Sequence, residues 1–523
     1  MMNKKLVFLL LGFIVLEIAL INTRGVWAPD EARYARVASE MKQNGSYLIP
    51  YLNGEVYKEK PPLFFDIAIL FSIFSKGVPT YAVKIVSLLS SLAVILLTMA
   101  LASRFGLKNL LLIPLIVLAD IKFLWQSQFG QIDMLLCALI YGSLYVGYLT
   151  LESKNYLFLK YLLLSFLLFL SIFAKGAAGV IPVFLTLLVF SFLATDLKRG
   201  LRFFLPLIFC LIFVAIWLYI SGLLAGFDYP KTLLFKQTLT RYLDPWHHYA
   251  PWYYYLGVMW GDGFPMIFLI IPAILYIIKT KGFKKPQYLL AILFIVIYIV
   301  FFSASSGKRS VYILPIYPMA SFIIAFFLEE IDGKFKEIKI IAPFLAIVPL
   351  VSFVTSFVVI KKSPPQFSDS AFLIFIGLII LTLFSIISIL LIYKKKKFIC
   401  GYLTMGVFFL SLFVLPFLKN LDSVKVPYDL IKSVKPFVEN GLKIGVYPSL
   451  IPSLNYYLNS NTPVFKKDKI EEARKFLAQG NCLLIEKDPK ITNQFGDFSS
   501  PIWEGEIGDS TFLLLTQTLQ SNE

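Results

Sequence analysis

Ionisable side chains that can carry chemistry gather in four segments of an otherwise apolar chain. The longest is residues 24–65, RGVWAPDEARYARVASEMKQNGSYLIPYLNGEVYKEKPPLFF; the others are Gln131-Ile132-Asp133, residues 241–248 (RYLDPWHH) and residues 308–318 (KRSVYILPIYP). A carboxylate can position or deprotonate a nucleophile, and a lysine or arginine can bind a phosphate or another carboxylate. These segments contain the residue types expected of a site for an anionic substrate.

The pattern of the first segment predicts a helix, a tight turn with a short extended piece, and a second helix. Asp30 and Glu31 fall in the first turn of the first helix, where the helix dipole favours anions, and Asn44-Gly45 is a stop signal. Asn53-Gly54 is a tight-turn sequence. Lys60-Pro61-Pro62 indicates the start of the second helix, because proline suits a first helical turn.

The composition is typical of a membrane protein, with 58% hydrophobic, 16% aromatic and 15% charged residues among 523. Apolar stretches of about twenty residues recur, as a hydrocarbon slab roughly 30 Å thick requires. The net charge of +17 does not indicate nucleic acid, because the lysines and arginines cluster in short loops between apolar spans. We therefore expect no nucleic-acid partner.

We predict an α-helical polytopic membrane protein with about thirteen spans and a cytoplasmic N-terminus. Residues 63–76 form the second helix of the hairpin and rest in the membrane interface. Basic loops on one side fix the orientation, and an odd span count places the C-terminus on the other side. The predicted spans are 6–22, 80–102, 109–126, 132–151, 155–173, 178–195, 203–222, 253–278, 287–304, 311–328, 338–360, 370–393 and 398–417.

Two domains are expected. Residues 1–418 form a transmembrane domain that includes a juxtamembrane hairpin at 23–76 and an outer loop at 223–252. In residues 419–523, short strand-like runs alternate with helical ones, which predicts a small C-terminal α/β domain. This second domain carries no recognisable catalytic motif, so a structural or lid role is expected.

The run PDEARYARVASEM…YLNGEVYKEKPPLFF resembles the first periplasmic loop of bacterial lipid-linked sugar transferases of the GT-C fold. It is most like the aminoarabinose–lipid A transferase family, with protein O-mannosyltransferases as more distant relatives. The resemblance spans roughly residues 5–420 and is sharpest at 27–63 and 307–318. It implies an inner-membrane enzyme with a periplasmic active site, an undecaprenyl-phosphate-linked sugar donor and a periplasmic C-terminal domain.

The resemblance also assigns roles to acidic and lysine residues. Asp30 would orient the acceptor, or act as a general base if the acceptor is a hydroxyl; a helix-dipole partner is the alternative. Asp133 would be the second catalytic acidic residue, with a helix cap as its alternative. Lys60 would bind the donor phosphate rather than snorkel to headgroups. The substrate-binding residues expected around them are Glu31, Tyr34, Tyr57 and Glu59.

The remaining candidates lie in the third and fourth segments. Arg241, Lys308 and Arg309 are expected to bind the donor phosphate, and Tyr312 is expected to contact the donor. A metal site from His247, His248 and Glu59 is conceivable, because imidazole and carboxylate suit zinc. An aromatic belt explains that loop better, and the fold requires no cofactor. Lys175, in Ala-Lys-Gly at the outer end of a span, is a further pocket candidate.

Three functions remain open. The first is transfer of aminoarabinose or another pentose, hexose or uronic acid from undecaprenyl phosphate to lipid A or core lipopolysaccharide. A phosphate acceptor is already anionic and needs no base, so Asp30 would act by positioning. The second is protein O-glycosylation, in which Asp30 would be the base. The third, a lipid-linked sugar transporter, ranks lower because the charged motifs gather at one face and no repeat is visible. A monomer surrounded by membrane lipids is expected.

Overall fold

The structure is a computed structural model. It describes residues 4–21, 23–153, 155–243, 248–332, 368–393, 425–495, 501–507 and 510–516, with residue 422 and scattered residues between 344 and 361.

Helices dominate the described residues as far as residue 393. A nine-residue π-helix follows the twelfth α-helix, at Thr232–Thr240. The α-helices are α1 Lys4–Ile21, α2 Asp30–Asn44, α3 Leu63–Leu70, α4 Thr80–Arg104, α5 Leu112–Val117, α6 Ile121–Gln128, α7 Ile132–Glu152, α8 Leu157–Lys175, α9 Ile181–Ala194, α10 Leu197–Leu201, α11 Phe204–Ala225, α12 Asp228–Lys231, α13 Arg241–Leu243, α14 Tyr254–Asp262, α15 Ile270–Lys279, α16 Pro286–Ala304, α17 Ile316–Ile331 and the helix Ser368–Tyr393.

In the described part of the chain, six helices are long and apolar enough to cross a membrane. A seventh span results if the pair Tyr254–Asp262 and Met266–Lys279, bent by 110°, is counted as one. The expectation of a multi-pass helical protein is therefore confirmed. The six helices are Thr80–Arg104, Ile132–Glu152, Leu157–Lys175, Ala177–Ala194, Leu197–Ala225 and Pro286–Ala304.

Some predicted elements differ from the observed ones. The predicted span at 109–126 is two short helices, because the buried Asp120 accepts a hydrogen bond from Phe123 N and starts α6 there. The helix predicted at 63–76 ends at Leu70. The predicted spans at 338–360 and 398–417 lie largely or wholly outside the described residues.

The chain divides into two compact units. The first consists of residues 1–21, 58–64 and 84–417, and the second of residues 22–57, 65–83 and 418–523. We expected the hairpin to belong to the transmembrane domain, but the contacts group most of it with the C-terminal segment instead.

The C-terminal part of the second unit contains a four-stranded mixed sheet. Its strands lie in the order β3 (Ile444–Tyr447), β4 (Cys482–Glu486), β6 (Ser510–Thr516) and β5 (Trp503–Ile507), with β3 parallel to β4 and the other pairs antiparallel. Alternate residues of β4 enter two different cores, as strand geometry requires: Leu484 on one face and Leu483 on the other. The longer helices of this part are Tyr428–Glu439, Pro452–Leu458 and Ile470–Ala478.

The hairpin of the second unit is built as its sequence predicts. Gly45 ends α2 in the left-handed region at φ 65°. Asn53 and Gly54, both with positive φ, turn β1 (Tyr51–Leu52) into β2 (Glu55–Val56). The Glu40 carboxylate accepts hydrogen bonds from both turn amides, at 2.7 and 2.9 Å. One buried acidic side chain therefore ties the turn to α2.

An ion pair is buried at the start of the same hairpin. Arg24 donates to both carboxylate oxygens of Glu31, at 2.6 and 3.1 Å, and Trp27 N donates to one of them at 2.8 Å. The two charged side chains are 1% and 0% exposed. A bidentate pair of this kind fixes geometry, and removing one partner leaves the other charge buried without compensation.

We therefore expect Glu31→Ala to destabilise the second unit by about 3–5 kcal/mol. This corresponds to a fall of about 10 °C in the melting temperature of the detergent-solubilised full chain, followed by tryptophan fluorescence. Asp228→Ala is the matched control, because it removes the acidic partner of the exposed Lys58–Asp228 pair and is expected to leave the melting temperature near that of wild type. Equal shifts in the two variants would contradict a structural role for the buried pair.

Candidate active site

A cavity of about 300 Å³ lies in the first unit. The cavity is lined by residues from the start of α7, the end of α8, the π-helix and the segment that follows α16. Its apolar wall includes Leu136, Ile181, Tyr298, Phe301 and Phe302. The polar side chains that line it are Lys60, Asp133, Lys175, Gln237, Thr238, Tyr242, His248, Ser305 and Tyr312.

Asp133 and Lys175 form an ion pair inside this cavity. Asp133 is in the first turn of α7 and Lys175 is the last residue of α8. Each charge therefore sits at the helix end whose dipole favours it. The side chains are only 11% and 16% exposed, and the Lys175 ammonium also lies 4.8 Å from the centre of the Tyr312 ring. An aromatic face and a carboxylate hold this cation at the cavity wall.

Gly176 allows α8 to end at this point. Its φ is 88°, a region that side chains rarely adopt, and its amide donates to Ile172 O at 2.8 Å. The chain then passes through a short 3-10 helix, Ala177–Gly179, into α9, whose approach also depends on a small residue. A Cβ on Gly179 would lie 2.6 Å from the side chain of Leu136. The Ala-Lys-Gly sequence thus places Lys175 beside Asp133.

Lys60 lines the same cavity and precedes α3 as expected. Two residues earlier, Lys58 forms an exposed ion pair with Asp228 at the start of α12. Glu59 is half-buried and is not among the described lining residues. Among the described residues, the lysines that line the cavity are therefore Lys60 and Lys175.

Backbone hydrogen bonds hold one side of the cavity in place. Ser306 N donates to Tyr242 O at 3.2 Å, Lys308 N donates to His248 O at 2.9 Å, and Ala250 N donates to Ser306 O at 3.4 Å. This pairing brings Tyr242 and His248 to the cavity. The motifs at 241–248 and 308–318, which are separate in the sequence, therefore contribute residues to the same cavity.

Lys308 lies differently from our expectation. Its ammonium donates to Ala250 O at 3.0 Å and to Ser305 O, and the residue is 5% exposed. Burial lowers the pKa of Lys308 from its ordinary value. Neither Lys308 nor the half-buried Arg309 is among the described residues that line the cavity. The observed contacts of Lys308 fasten the loop, and its role in binding phosphate stays a prediction.

Other predicted residues cannot all be placed. Arg241 belongs to α13, but its side chain is not described, and His247 lies outside the described residues. His248 is present at the cavity with φ 67°. No group of three His, Cys, Asp or Glu side chains that could hold a metal occurs in the described ranges. The zinc site suggested from Glu59 and the two histidines stays a prediction.

The hairpin candidates lie in the second unit. Asp30 is 7% exposed, in the first turn of α2, and its carboxylate accepts a hydrogen bond from Arg33. The rings of Tyr34 and Tyr57 pack edgewise on Phe65, with centroids 5.7 and 6.3 Å away. Both tyrosines are buried, so their rings stabilise the hairpin by packing. Their contact with a substrate stays a prediction.

Three polar lining residues, Gln237, Thr238 and Ser305, lie outside the motifs that the sequence singled out. Gln237 and Thr238 reach the cavity from the π-helix, where Thr238 Oγ1 donates to Leu233 O at 2.9 Å. A π-helix is rare and has no simple sequence signature, so nothing in the apolar pattern singled out these residues.

Together the fold and the cavity define a class. The chain is a multi-pass membrane protein of the GT-C fold. Its structure superposes on ArnT from Cupriavidus metallidurans with a TM-score of 0.80 in the apo state and 0.78 in the state bound to undecaprenyl phosphate. Both comparisons cover 97% of each chain at 18% identity. This similarity establishes the fold.

Sequence comparison confirms the more particular resemblance, which is to the aminoarabinose transferases. The undecaprenyl phosphate-alpha-4-amino-4-deoxy-L-arabinose arabinosyl transferase of Shewanella sediminis is 23% identical over 461 residues, 86% of this chain and 83% of that protein. The transferase of the same name from Wigglesworthia glossinidia brevipalpis is 25% identical over 336 residues, 63% and 59% of the two chains. No protein-family model matches the chain.

The contacts of Lys308 generate a prediction. Lys308→Met removes the donor to two carbonyls, and unmade buried hydrogen bonds cost about 1–3 kcal/mol. We expect faster amide hydrogen exchange at residues 248–250 and 305–308. Lys284→Met, at an exposed loop lysine, is the control and leaves that exchange unchanged. Unaltered exchange in Lys308→Met would show that the lysine does not fasten the loop.

Proposed function

We propose that this chain is an integral-membrane glycosyltransferase of the bacterial inner membrane. It transfers a sugar, aminoarabinose in the first instance, from undecaprenyl phosphate to lipid A at the periplasmic face. The observation that carries the proposal is the cavity of the first unit, where two lysines meet an aromatic wall at the ends of apolar helices. The names of the sequence relatives and the ArnT fold support the substrate assignment.

The cavity suits a polyprenyl phosphate because it joins cations to an apolar surface. Lys60 and Lys175 provide charge for the phosphate, while Phe301 and Phe302 provide a surface for hydrocarbon. As the bond between the sugar and the phosphate breaks, negative charge grows on the departing phosphate, and fixed cations stabilise it. In the proposed in-line displacement, Arg241, Lys308 and Arg309 remain candidates to extend this cationic set.

The carboxylates have different tasks in this scheme. Asp133 pairs with Lys175 and fixes its ammonium at the cavity wall. Asp30 places the acceptor nucleophile, which in a lipid A phosphate is already an anion and loses no proton to the enzyme. Glu31, Tyr34, Tyr57, Glu59 and Tyr312 complete the set of proposed substrate-binding residues. No metal enters this scheme.

The topology proposal follows the positive-inside pattern. The N-terminus is cytoplasmic, about thirteen spans follow, and the α/β sheet of the second unit is periplasmic. The beginning of α7 and the end of α8 then face the periplasm, the side on which lipid A is modified. We propose that the protein acts as a monomer.

Mass spectrometry of lipid A tests the reaction directly. Cells with the gene carry lipid A with an added sugar mass, and deletion of the gene removes it. Wild type is expected to restore the modification, whereas Asp30→Asn and Lys60→Gln are not. Asp30 positions the acceptor and Lys60 stabilises the departing phosphate, and loss of either role slows catalysis about 100-fold or more.

Lys58→Gln is the matched control, since this lysine lies two residues from Lys60 but pairs with an exposed carboxylate. It is expected to restore the modification. An unchanged lipid profile on gene deletion overturns lipid A as the acceptor. If core lipopolysaccharide is unchanged as well and the sugar appears on periplasmic proteins, the O-glycosyltransferase alternative replaces it. Full restoration by Asp30→Asn and Lys60→Gln would show that the active site lies elsewhere.

A further inference from the structure

A second pocket lies at the opposite ends of the helices that frame the cavity. It measures about 120 Å³ and is found where α7 ends, α8 begins and α10 follows. Because α7 has 21 residues, the two sites are separated by roughly 30 Å along the helix. We call it the Arg199–Arg202 pocket; it is lined by Thr150, Leu151, Glu152, Leu157, Tyr161, Arg199 and Arg202.

The acidic groups near this pocket are already engaged. Arg104 pairs with Glu152 at 3.2 Å, and Arg199 pairs with Asp196 at 3.3 Å. The Arg199 amide also donates a hydrogen bond to the Asp196 carboxylate, which caps α10. Within the described residues, the exposed Arg202 forms no ion pair with a carboxylate, so it adds uncompensated positive charge. The pocket surroundings therefore favour an anion.

The backbone holds the two arginines in place. Gly200 lies between them, and a Cβ at this position would meet Leu188 O at 3.3 Å. The absence of a side chain therefore lets α10 pack directly against α9. The pocket is consequently part of the packed helical structure and not a chance approach of surface side chains.

The rim of the pocket is apolar and exposed. Phe158 and Leu159 of α8 are 68% and 61% exposed, and Leu197 and Leu201 of α10 are 53% and 51% exposed. Both helices belong to candidate membrane spans. A ligand at this position thus meets arginines with its polar part and hydrocarbon-facing side chains with the remainder.

From this combination we infer that the Arg199–Arg202 pocket binds the phosphate headgroup of an anionic membrane lipid. Arginine binds phosphate oxygens in a bidentate manner, and basic pockets beside membrane-spanning helices are suited to anionic lipid headgroups. The apolar rim favours a lipid over a soluble phosphate. The inference does not depend on the proposed transferase activity.

The test is lipid titration of the purified full chain, read by native mass spectrometry. Dioleoylphosphatidylglycerol and dioleoylphosphatidylcholine share acyl chains but differ in net charge. We expect tighter binding of phosphatidylglycerol, and a loss of about 25-fold in Arg199→Gln/Arg202→Gln, since each basic residue contributes about fivefold. Arg202→Gln alone is expected to lose about fivefold, which keeps the test valid if the double variant misfolds.

Lys281→Gln/Lys284→Gln is the matched control, because it removes two exposed charges from another basic loop. It is expected to keep the affinity of wild type. Equal binding of the two lipids, or an equal loss in the control, would overturn the inference in favour of general surface attraction. Displacement of the lipid by excess inorganic phosphate would overturn the lipid assignment and indicate a soluble anion.

Discussion

Asp133 and Lys175 meet because α7 begins where α8 ends. Each charge lies at the helix end that favours it, and the pair is largely shielded from solvent. In such a setting an unpaired charge costs several kcal/mol, about 3–5 when a partner is removed. The cavity wall around Tyr312 therefore depends on the pair, and so does the position of the cation that would meet a phosphate.

The second unit also contains buried carboxylates, and there they hold the backbone in place. Glu31 holds Arg24 and Trp27 N, and Glu40 holds both amides of the Asn53-Gly54 turn. These buried carboxylates fix the backbone of the hairpin, and thereby the position of Asp30. Glu31 and Glu40 thus shape the chain, although the sequence gives them no feature that distinguishes them from Asp30.

Local signals predicted much of this structure. Asn44-Gly45 ends a helix and Asn53-Gly54 makes a turn, because both depend on backbone preferences that the sequence displays. The long apolar helices α4 and α16 were also predicted from the sequence, as membrane spans. The resemblance to lipid-linked sugar transferases followed mainly from residues 27–63 and 307–318, and the comparisons confirm it.

Features that depend on contacts between residues far apart in the sequence could not be predicted from it. Asp120 breaks an apolar run because it caps α6, and Ile121 N reaches Phe264 O across 143 residues. The hairpin binds the C-terminal segment through contacts such as Trp27 Nε1 to Asp422, 395 residues apart. The contacts of the Lys308 ammonium with Ala250 O and Ser305 O were likewise not predicted, while its role in binding phosphate stays a prediction.

The measurement closest to the central claim is the affinity for undecaprenyl phosphate in a double-mutant cycle of Asp133→Asn and Lys175→Met. We expect Lys175→Met to weaken binding about 10-fold or more, as loss of a charge-assisted hydrogen bond does. Asp133→Asn should weaken binding only while Lys175 is present, because its effect passes through that lysine. Unchanged affinity in Lys175→Met, or losses that simply multiply, would contradict the account.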